Sequence, residues 1–406
     1  MPSKRILILT NRVPYPLKDG GNLAMKAMID GYQKNGWQVF LLSMNTTRHY
    51  VQPDVLAGIY RNIATFETVD VNNNLRLWPT LSNFFFSSEP NHAARFRHIG
   101  FRRRLAEVLD SFRPDVVQVE SPYLSVYLPD IKQNTKAFTV LRMHNVEYQV
   151  WDRLAAETSN PFKRFYLHKL AKRIRLYEET IWKEYELLLP ITYIDESVIK
   201  KTFNNVVTYT VPFGIDLNTA RQKTVAENWV GYHIGAMDWL PNKEGIRWFL
   251  NEIWPAIRRR APDFEFYFAG RNMPDEFRNI SLPGVHAAGE VPDAAKFIAD
   301  KKILIVPIQS GGGIRVKILE AMAAGKIVIS TAIGMQGIEA VEGKHYLQAN
   351  TAGEFSHAVL WCLDKKQDAE KIAQNGRKLA EEQYNNERIA RDLSESLIFR
   401  LNAHSA

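Results

Sequence analysis

Short apolar runs alternate with longer amphipathic stretches along the whole chain. In the first half, Arg5–Thr10, Gln38–Met44, Val116–Glu120, Thr139–Met143, Leu187–Pro190 and Val206–Val211 read as strands. In the second, Trp229–Ile234, Phe264–Ala269, Val285–Ala287, Ile303–Pro307 and Ile327–Ser330 do the same. Runs such as Ile303-Leu-Ile-Val306 lack polar alternation, which predicts strands covered on both faces, as in parallel sheets. The 3.6-residue period of helices occupies Asn22–Asn35, Phe101–Phe112, Asp152–Glu186, Gly245–Arg260, Ile314–Ala324, Gly353–Leu363 and Lys366–Tyr384. This alternation predicts an α/β protein with doubly wound parallel sheets.

The pattern restarts near residue 228, after Val211-Pro-Phe-Gly-Ile-Asp216 and a polar stretch. It predicts two Rossmann-like domains, residues 1–215 and 216–386, facing each other across a cleft. Residues 387–406 are expected to form a C-terminal helix that packs back on the first domain. Ligands of such sheets lie outside the carboxyl ends of the strands, so the chemistry is sought there.

Composition narrows the class. The 406 residues, 46% hydrophobic and 24% charged, suit a globular protein of two cores. No apolar run approaches the roughly 18 residues that a membrane helix needs, and Ile6-Leu-Ile-Leu9 is too short for a signal-peptide core. The single cysteine, Cys362, excludes an internal disulfide and suits a reducing cytoplasm. The net charge of +8 is unevenly divided: residues 1–215 carry 28 Lys and Arg against 20 Asp and Glu, and the remainder carries 24 against 24. The first domain therefore holds the whole excess.

The strongest local signal is Ile305-Val-Pro-Ile-Gln-Ser-Gly-Gly-Gly-Ile-Arg-Val-Lys-Ile-Leu-Glu-Ala-Met-Ala-Ala-Gly325. A strand runs into three glycines, and a helix is expected from about Gly313 to a left-handed cap at Gly325. Glycines let a ligand approach the backbone, whose N–H groups bind anions at a helix start. Arg315 and Lys317, placed in the first turn, oppose the helix dipole, so an anion such as a diphosphate would compensate them. Glu320, one turn beyond Lys317, is within reach of a ribose diol. The bland alternative is a helix with a solvated charged face.

This segment resembles the donor site of the retaining glycosyltransferases of family 4, which have the GT-B fold. Their signature is two glutamates eight residues apart; Glu320 matches the second, which holds the ribose, and the first falls on Gly312. The chain resembles instead the branch written G-x-R-x-K-x-L-E-A-M-A, with Gly313, Arg315 and Lys317 in that frame. Other similar stretches are Gly214-Ile-Asp216, Gly235-Ala-Met-Asp-Trp-Leu-Pro-Asn-Lys243 and Ala269-Gly-Arg271. Gly289-Glu-Val-Pro-Asp293 is similar to the loop that meets the nucleotide base, which implies Glu290 and Val291 as donor contacts. The resemblance also turns the loop Pro14-Tyr-Pro-Leu-Lys-Asp-Gly-Gly21 toward the donor, with Gly20 and Gly21 at its phosphates and sugar. Leu141-Arg-Met-His-Asn-Val-Glu147 places His144 just beyond a buried strand, where the family carries a histidine beside the donor sugar. It implies His144 as a sugar-orienting, catalytic residue, with Asn145, Glu147 and Glu120 as weaker candidates for acceptor or structure.

No two aspartates are spaced D-x-D and no His/Cys cluster has metal-ligand spacing, so neither metal nor other cofactor is expected. Two basic stretches remain. Residues 95–104 hold five arginines among aromatics, and residues 162–177 hold six Lys and Arg with an apolar stripe of Phe162, Tyr166, Leu170, Ile174 and Tyr177. They predict reversible contact with an anionic membrane, the alternative being a stripe packed on the sheet beneath solvated charges. Nucleic-acid binding is not expected, since no recognised module accompanies the charge.

The combined expectation is a cytoplasmic glycosyltransferase, peripheral on the inner face of the plasma membrane. It would move a sugar from a nucleoside-diphosphate sugar to a lipid-linked or saccharide hydroxyl, with retention and without metal. Cell-surface polysaccharide or glycolipid synthesis is the expected setting. The rivals are a GT-B-like nucleotide-sugar epimerase and a non-catalytic nucleotide-sugar-binding protein.

Overall fold

The structure is a computed structural model that describes residues 3–17, 20–52, 54–55, 58, 65–72, 90–217, 228–311 and 313–404. The chain divides into two compact units. One comprises Met1–Pro212 with Glu387–Ala406, the other Phe213–Asn386.

The first unit is built on six parallel strands: β1 (Arg5–Thr10), β2 (Gln38–Thr46), β3 (Thr65–Val71), β4 (Val116–Val119), β5 (Phe138–Met143) and β6 (Leu187–Pro190). Their order is β3-β2-β1-β4-β5-β6. The second unit repeats it with β7 (Asn228–Ile234), β8 (Phe266–Ala269), β9 (Val285–Gly289), β10 (Lys301–Val306), β11 (Ile327–Ser330) and β12 (Leu347–Gln348). There the order is β12-β11-β10-β7-β8-β9, the same winding. All the pairings are parallel, and β4, β5, β6, β10 and β11 are buried along their whole length, as strands covered on both faces are. In each sheet the order reverses between two central strands, β1 and β4 or β7 and β10, and a ligand site is expected at their carboxyl ends.

The helices used below are α1 (Gly20–Lys34), α2 (Ile99–Phe112), α3 (Glu147–Glu157), α4 (Pro161–Trp182), α5 (Tyr193–Thr202), α6 (Leu240–Trp248), α7 (Val316–Ala323), α8 (Ala352–Asp364), α9 (Lys366–Gln383) and α10 (Asn386–His404). Helix α10 belongs to the first unit. Its Leu393, Leu397 and Leu401, four residues apart on one face, join Ile8, Tyr32, Val140 and Leu187 in a single core. Burying a leucine contributes about 1.5–3 kcal/mol, which is enough to hold the helix there. Gly31 of α1 faces Ala390 of α10 so closely that a β-carbon would collide with it.

The structure departs from the sequence expectations at several points. Strands β3 and β12 lie outside the expected list. Thr65–Val71 is a mostly polar edge strand in which adjacent Glu67 and Thr68 break the alternation, and Leu347–Gln348 has only two residues, too few for periodicity to register. Val206–Val211 runs beside β6 through three backbone hydrogen bonds but forms only an isolated bridge at Thr208. The helix expected over Asp152–Glu186 is two helices, because Pro161 has no N–H to continue the first. The Asn160 side chain instead caps α4 by accepting from Lys163 N at 3.0 Å. The helix expected from Gly245 begins at Leu240. The stripe on α4 also divides: Leu170 and Ile174 are buried, whereas Phe162 is 86% exposed and Tyr166 is exposed.

Candidate active site

In the second unit, β7 and β10 leave the sheet side by side, one toward β8 and the other toward β11. The loop after β10 contains Gly311 and Gly313, both with positive φ, and reaches α7 at Val316. The expected helix start at Gly313 is therefore corrected by three residues: left-handed glycines cannot begin a right-handed helix. Arg315 becomes the N-cap, and Lys317 alone of the two cations lies in the first turn. At the other end, Gly325 has φ +67° and closes the helix as expected.

Lys317 Nζ lies 2.8 Å from Asn242 Oδ1 of α6 and 3.0 Å from His233 Nε2 of β7. His233 Nδ1 lies 2.8 Å from the Ile305 carbonyl oxygen, which can only accept. The imidazole therefore carries its hydrogen on Nδ1 and accepts from the ammonium at Nε2. Burial, reinforced by the Lys317 charge, holds the His233 pKa well below the usual range. Burial and the neighbouring Arg315 charge depress Lys317 in the same way. Asn242 is itself oriented, donating from Nδ2 to Ala236 O at 2.9 Å. Gly235 makes room for this cluster: a β-carbon there would lie 2.5 Å from Asn242 Nδ2 and 3.0 Å from Lys317 Nζ.

Arg315 has a different use. It is only 4% exposed. Its guanidinium donates to Gly311 O at 3.0 Å and to Gly313 O, and lies over the Trp239 ring, 5.4 Å from the centroid. It fastens the glycine loop from beneath. Glu320 is half-buried one turn beyond Lys317, and its charge adds to burial in raising the Tyr232 pKa. Arg271 is half-buried after β8, and its carbonyl accepts from Met237 N at 2.9 Å, tying that loop to the one after β7. Glu290, exposed, and Val291, half-buried, follow β9. Gly235, Arg271, Glu290, Val291, Gly313, Arg315 and Lys317 thus all follow the carboxyl ends of β7–β10. Gly312 lies outside the described residues.

The first unit has its own polar cluster. His144 follows β5 and Glu120 follows β4, and His144 Nε2 lies 3.1 Å from Glu120 Oε2. Glu120 is 2% exposed. Burial alone would raise its pKa, but Arg142, 3.4 Å away, His144 and Gln118 outweigh that and hold it below the usual value. An ionised carboxylate only accepts, so the histidine hydrogen sits on Nε2 and Nδ1 is left as the basic nitrogen. Gly20 and Gly21 are the first two residues of α1. Asn145 is half-buried, and Glu147 opens α3, where it accepts from Tyr123 Oη at 2.9 Å. Glu178 of α4 accepts from Glu147 N at 3.0 Å and Tyr148 N at 2.9 Å, and so caps α3 from another helix.

Among the described residues no group of three His, Cys, Asp or Glu is placed to hold a metal ion, and no helix is long and apolar enough to cross a membrane. Sequence reasoning missed His233, Asn242 and Trp239. A histidine one residue before the end of the expected strand Trp229–Ile234 was the available signal for His233.

Residues 230–365 match the family model described as glycosyl transferases group 1. A sucrose-phosphate synthase from Thermosynechococcus elongatus superposes over 99% of this chain and 100% of its own, at TM-score 0.65 and 16% identity. HepE from Anabaena in complex with UDP superposes over 97% and 99%, at TM-score 0.67 and 11% identity. The fold is that of GT-B glycosyltransferases. A Klebsiella pneumoniae protein, described as an uncharacterized 44.6 kDa protein in cps region, is 22% identical over 95% of this chain and 97% of its own length. The matched segment contains the Lys317 cluster and the glycine loop, and together with the fold it supports a GT-B glycosyltransferase.

Proposed function

We propose that this chain transfers a sugar from a nucleoside-diphosphate sugar to an acceptor hydroxyl in the synthesis of a cell-surface polysaccharide or glycolipid. The observation that carries the reading is Lys317. Its ammonium stands in the first turn of α7 behind a glycine loop, within the segment that matches the glycosyl transferases group 1 model. It is paired with neutral acceptors, His233 and Asn242, so no carboxylate neutralises it, and a bound diphosphate would favour its charged form against the burial and the Arg315 charge that lower its pKa. HepE, with the same fold, is described with UDP and with UDP-glucose, which supports a nucleotide donor. The cps-region relative supports polysaccharide synthesis.

In this reading Lys317, the loop amides and the Arg315 charge stabilise the leaving diphosphate, and Glu320 holds the ribose. Gly20, Gly21, Gly235 and Arg271 border the phosphates and sugar, Glu290 and Val291 meet the base, and His144 orients the sugar. The anomeric carbon exchanges its bond to the diphosphate oxygen for one to the acceptor oxygen on the same face, with retention, and the acceptor's proton leaves with the diphosphate. No metal takes part. The acceptor is lipid-linked or a saccharide, presented by an anionic membrane. The N-terminal half of α4 supports that placement, with Phe162 86% and Phe165 70% exposed beside exposed Lys163, Arg164 and Lys169.

The test is incubation with a panel of nucleoside-diphosphate sugars, with and without acceptor, in excess EDTA. Transfer, or slow donor hydrolysis without acceptor, that persists in EDTA supports the reading. Isomerised donor without acceptor would establish an epimerase. Binding without turnover of any kind would leave a binding protein, and activity lost in EDTA and restored by Mg²⁺ would remove the metal-free step.

A further inference from the structure

We infer that His233 and Asn242 are positioning residues: two neutral, oriented acceptors that fix the Lys317 ammonium at the helix start and keep its charge for the diphosphate. The inference rests on the proposed function and deepens it. Three elements meet here, with His233 from β7, Asn242 from α6 and Lys317 from α7. His233 is fully buried, Asn242 nearly so, and each acceptor is oriented by a backbone carbonyl that takes its own hydrogen, Ile305 O for the imidazole and Ala236 O for the amide. An ammonium has three hydrogens. Two go to His233 Nε2 and Asn242 Oδ1, at 3.0 Å and 2.8 Å, and the third remains for an incoming anion.

The chemistry of the acceptors matters. A carboxylate at either position would hold Lys317 as firmly but would neutralise it and repel a phosphate. An apolar side chain would leave the long lysine stem to sample other rotamers. A neutral acceptor does neither. Gly235 and Gly245 serve the same arrangement. The first leaves the space that Lys317 Nζ and Asn242 occupy, and the second lets α6 lie against the Pro307 carbonyl, which brings Asn242 to the end of β10.

The test has a ligand-free arm and a binding arm on the full chain. Imidazole ¹H–¹⁵N spectra should show His233 neutral with its hydrogen on Nδ1, and its Nε2 signal should move in Lys317→Met. A hydrogen on Nε2, or no response to Lys317→Met, would overturn the pairing whatever the protein binds. In the binding arm, UDP, GDP, ADP and dTDP are titrated against the wild type, and the tightest is compared with its nucleoside. His233→Leu should weaken the nucleoside diphosphate by about tenfold or more, leave the nucleoside unchanged, and be largely rescued by His233→Gln, whose amide can both donate to Ile305 O and accept from Lys317. His233→Leu should add nothing in a Lys317→Ala background. An equal loss there, or equal losses for diphosphate and nucleoside, would make His233 merely structural and refute the inference. If Lys317→Ala itself binds the diphosphate like wild type, the proposed function loses its cation, a failure separate from that of the ligand-free pairing.

Discussion

Each unit carries a histidine at the carboxyl end of a strand, His144 just after β5 and His233 near the end of β7, and the two have opposite partners. In the first unit His144 meets the buried carboxylate of Glu120, which Arg142 and Gln118 hold ionised. In the second His233 meets the ammonium of Lys317 and is held neutral. The sheets share one winding, but the histidines stand at different places in it: β7 borders its switch point, and β5 lies one strand beyond its own. The neighbouring strand supplies each partner: β4 brings Glu120 beside His144, and β10 leads through the glycine loop to the helix that brings Lys317 to His233. A carboxylate behind an imidazole leaves a basic nitrogen for a hydroxyl, while a lysine in front of one leaves a positive charge for an anion. One topology thus holds an imidazole–carboxylate pair in one unit and an imidazole–ammonium pair in the other.

The comparison can be broken most sharply at His144. His144→Ala should cut transfer by about 10²–10⁴-fold, the usual contribution of a positioned acid–base group, with nucleoside-diphosphate affinity unchanged by titration. A loss of affinity with intact turnover would reverse the roles of the two histidines. Next in size, Lys317→Ala should weaken nucleoside-diphosphate binding by about 10–100-fold. Arg315→Ala should weaken it less, because its hydrogen bonds go to Gly311 and Gly313 rather than outward. Equal losses for the two variants would show that the loop, and not the ammonium, carries the charge.

A third test uses buried carboxyl groups of the first unit. Burial pushes Glu178 up to about 8 against the pull of the two N–H groups it caps, and burial also raises Glu147 and Asp195. The native state therefore holds protons that the unfolded chain releases. This stability is complete below the ordinary glutamate range, near pH 4.5, and is lost as pH rises toward 8. Calorimetry should show the first unit's melting temperature falling between about pH 5 and pH 8 as its stability drops by up to about 1.4 kcal/mol per pH unit for one group. Glu178→Gln should flatten the slope. A slope unchanged in that variant would assign the effect to other groups.

The smallest effect is expected at the membrane, where the two units differ by the whole net charge of +8. Vesicles with anionic lipid should sediment the wild type at low salt and release it at about 1 M salt, where screening falls to about 3 Å. Phe162→Ser with Phe165→Ser should weaken this severalfold. Neutralising residues 102–104 should matter less, because Arg102 pairs with Asp130 and Arg104 with Glu67 and Glu107. No sedimentation at low salt would favour a soluble acceptor.

Much of the fold was legible because its strands are buried on both faces. Runs such as Ile303–Val306 need no partner to be recognised, and helices such as α9 announce themselves by period. Edge elements were not legible: Thr65–Val71 and Leu347–Gln348 owe their strand geometry to a neighbour rather than to their own pattern. The glycine loop and Lys317 were singled out from residue type and position on the chain, and His144 from its place after a strand together with the family resemblance. The error of three residues at the α7 start arose because the glycine pattern marks a turn without saying which φ each glycine adopts.

The sequence determined alone what depends on neighbours a few positions away: the alternation of strands and helices, the break at Pro161, the cap at Gly325 and the presence of cations beside glycines. Only the tertiary structure decided how those cations are used. His233 and Lys317 are 84 positions apart, and Asn242 and Lys317 are 75 apart. Whether a lysine meets an imidazole, a carboxylate or water depends on which strands the winding makes adjacent, and burial then sets the charge each group keeps. Arg315 and Lys317, two positions apart on the chain, are separated in the same way. The helix begins between them, turning one side chain under the loop and the other into the space that Gly235 leaves open.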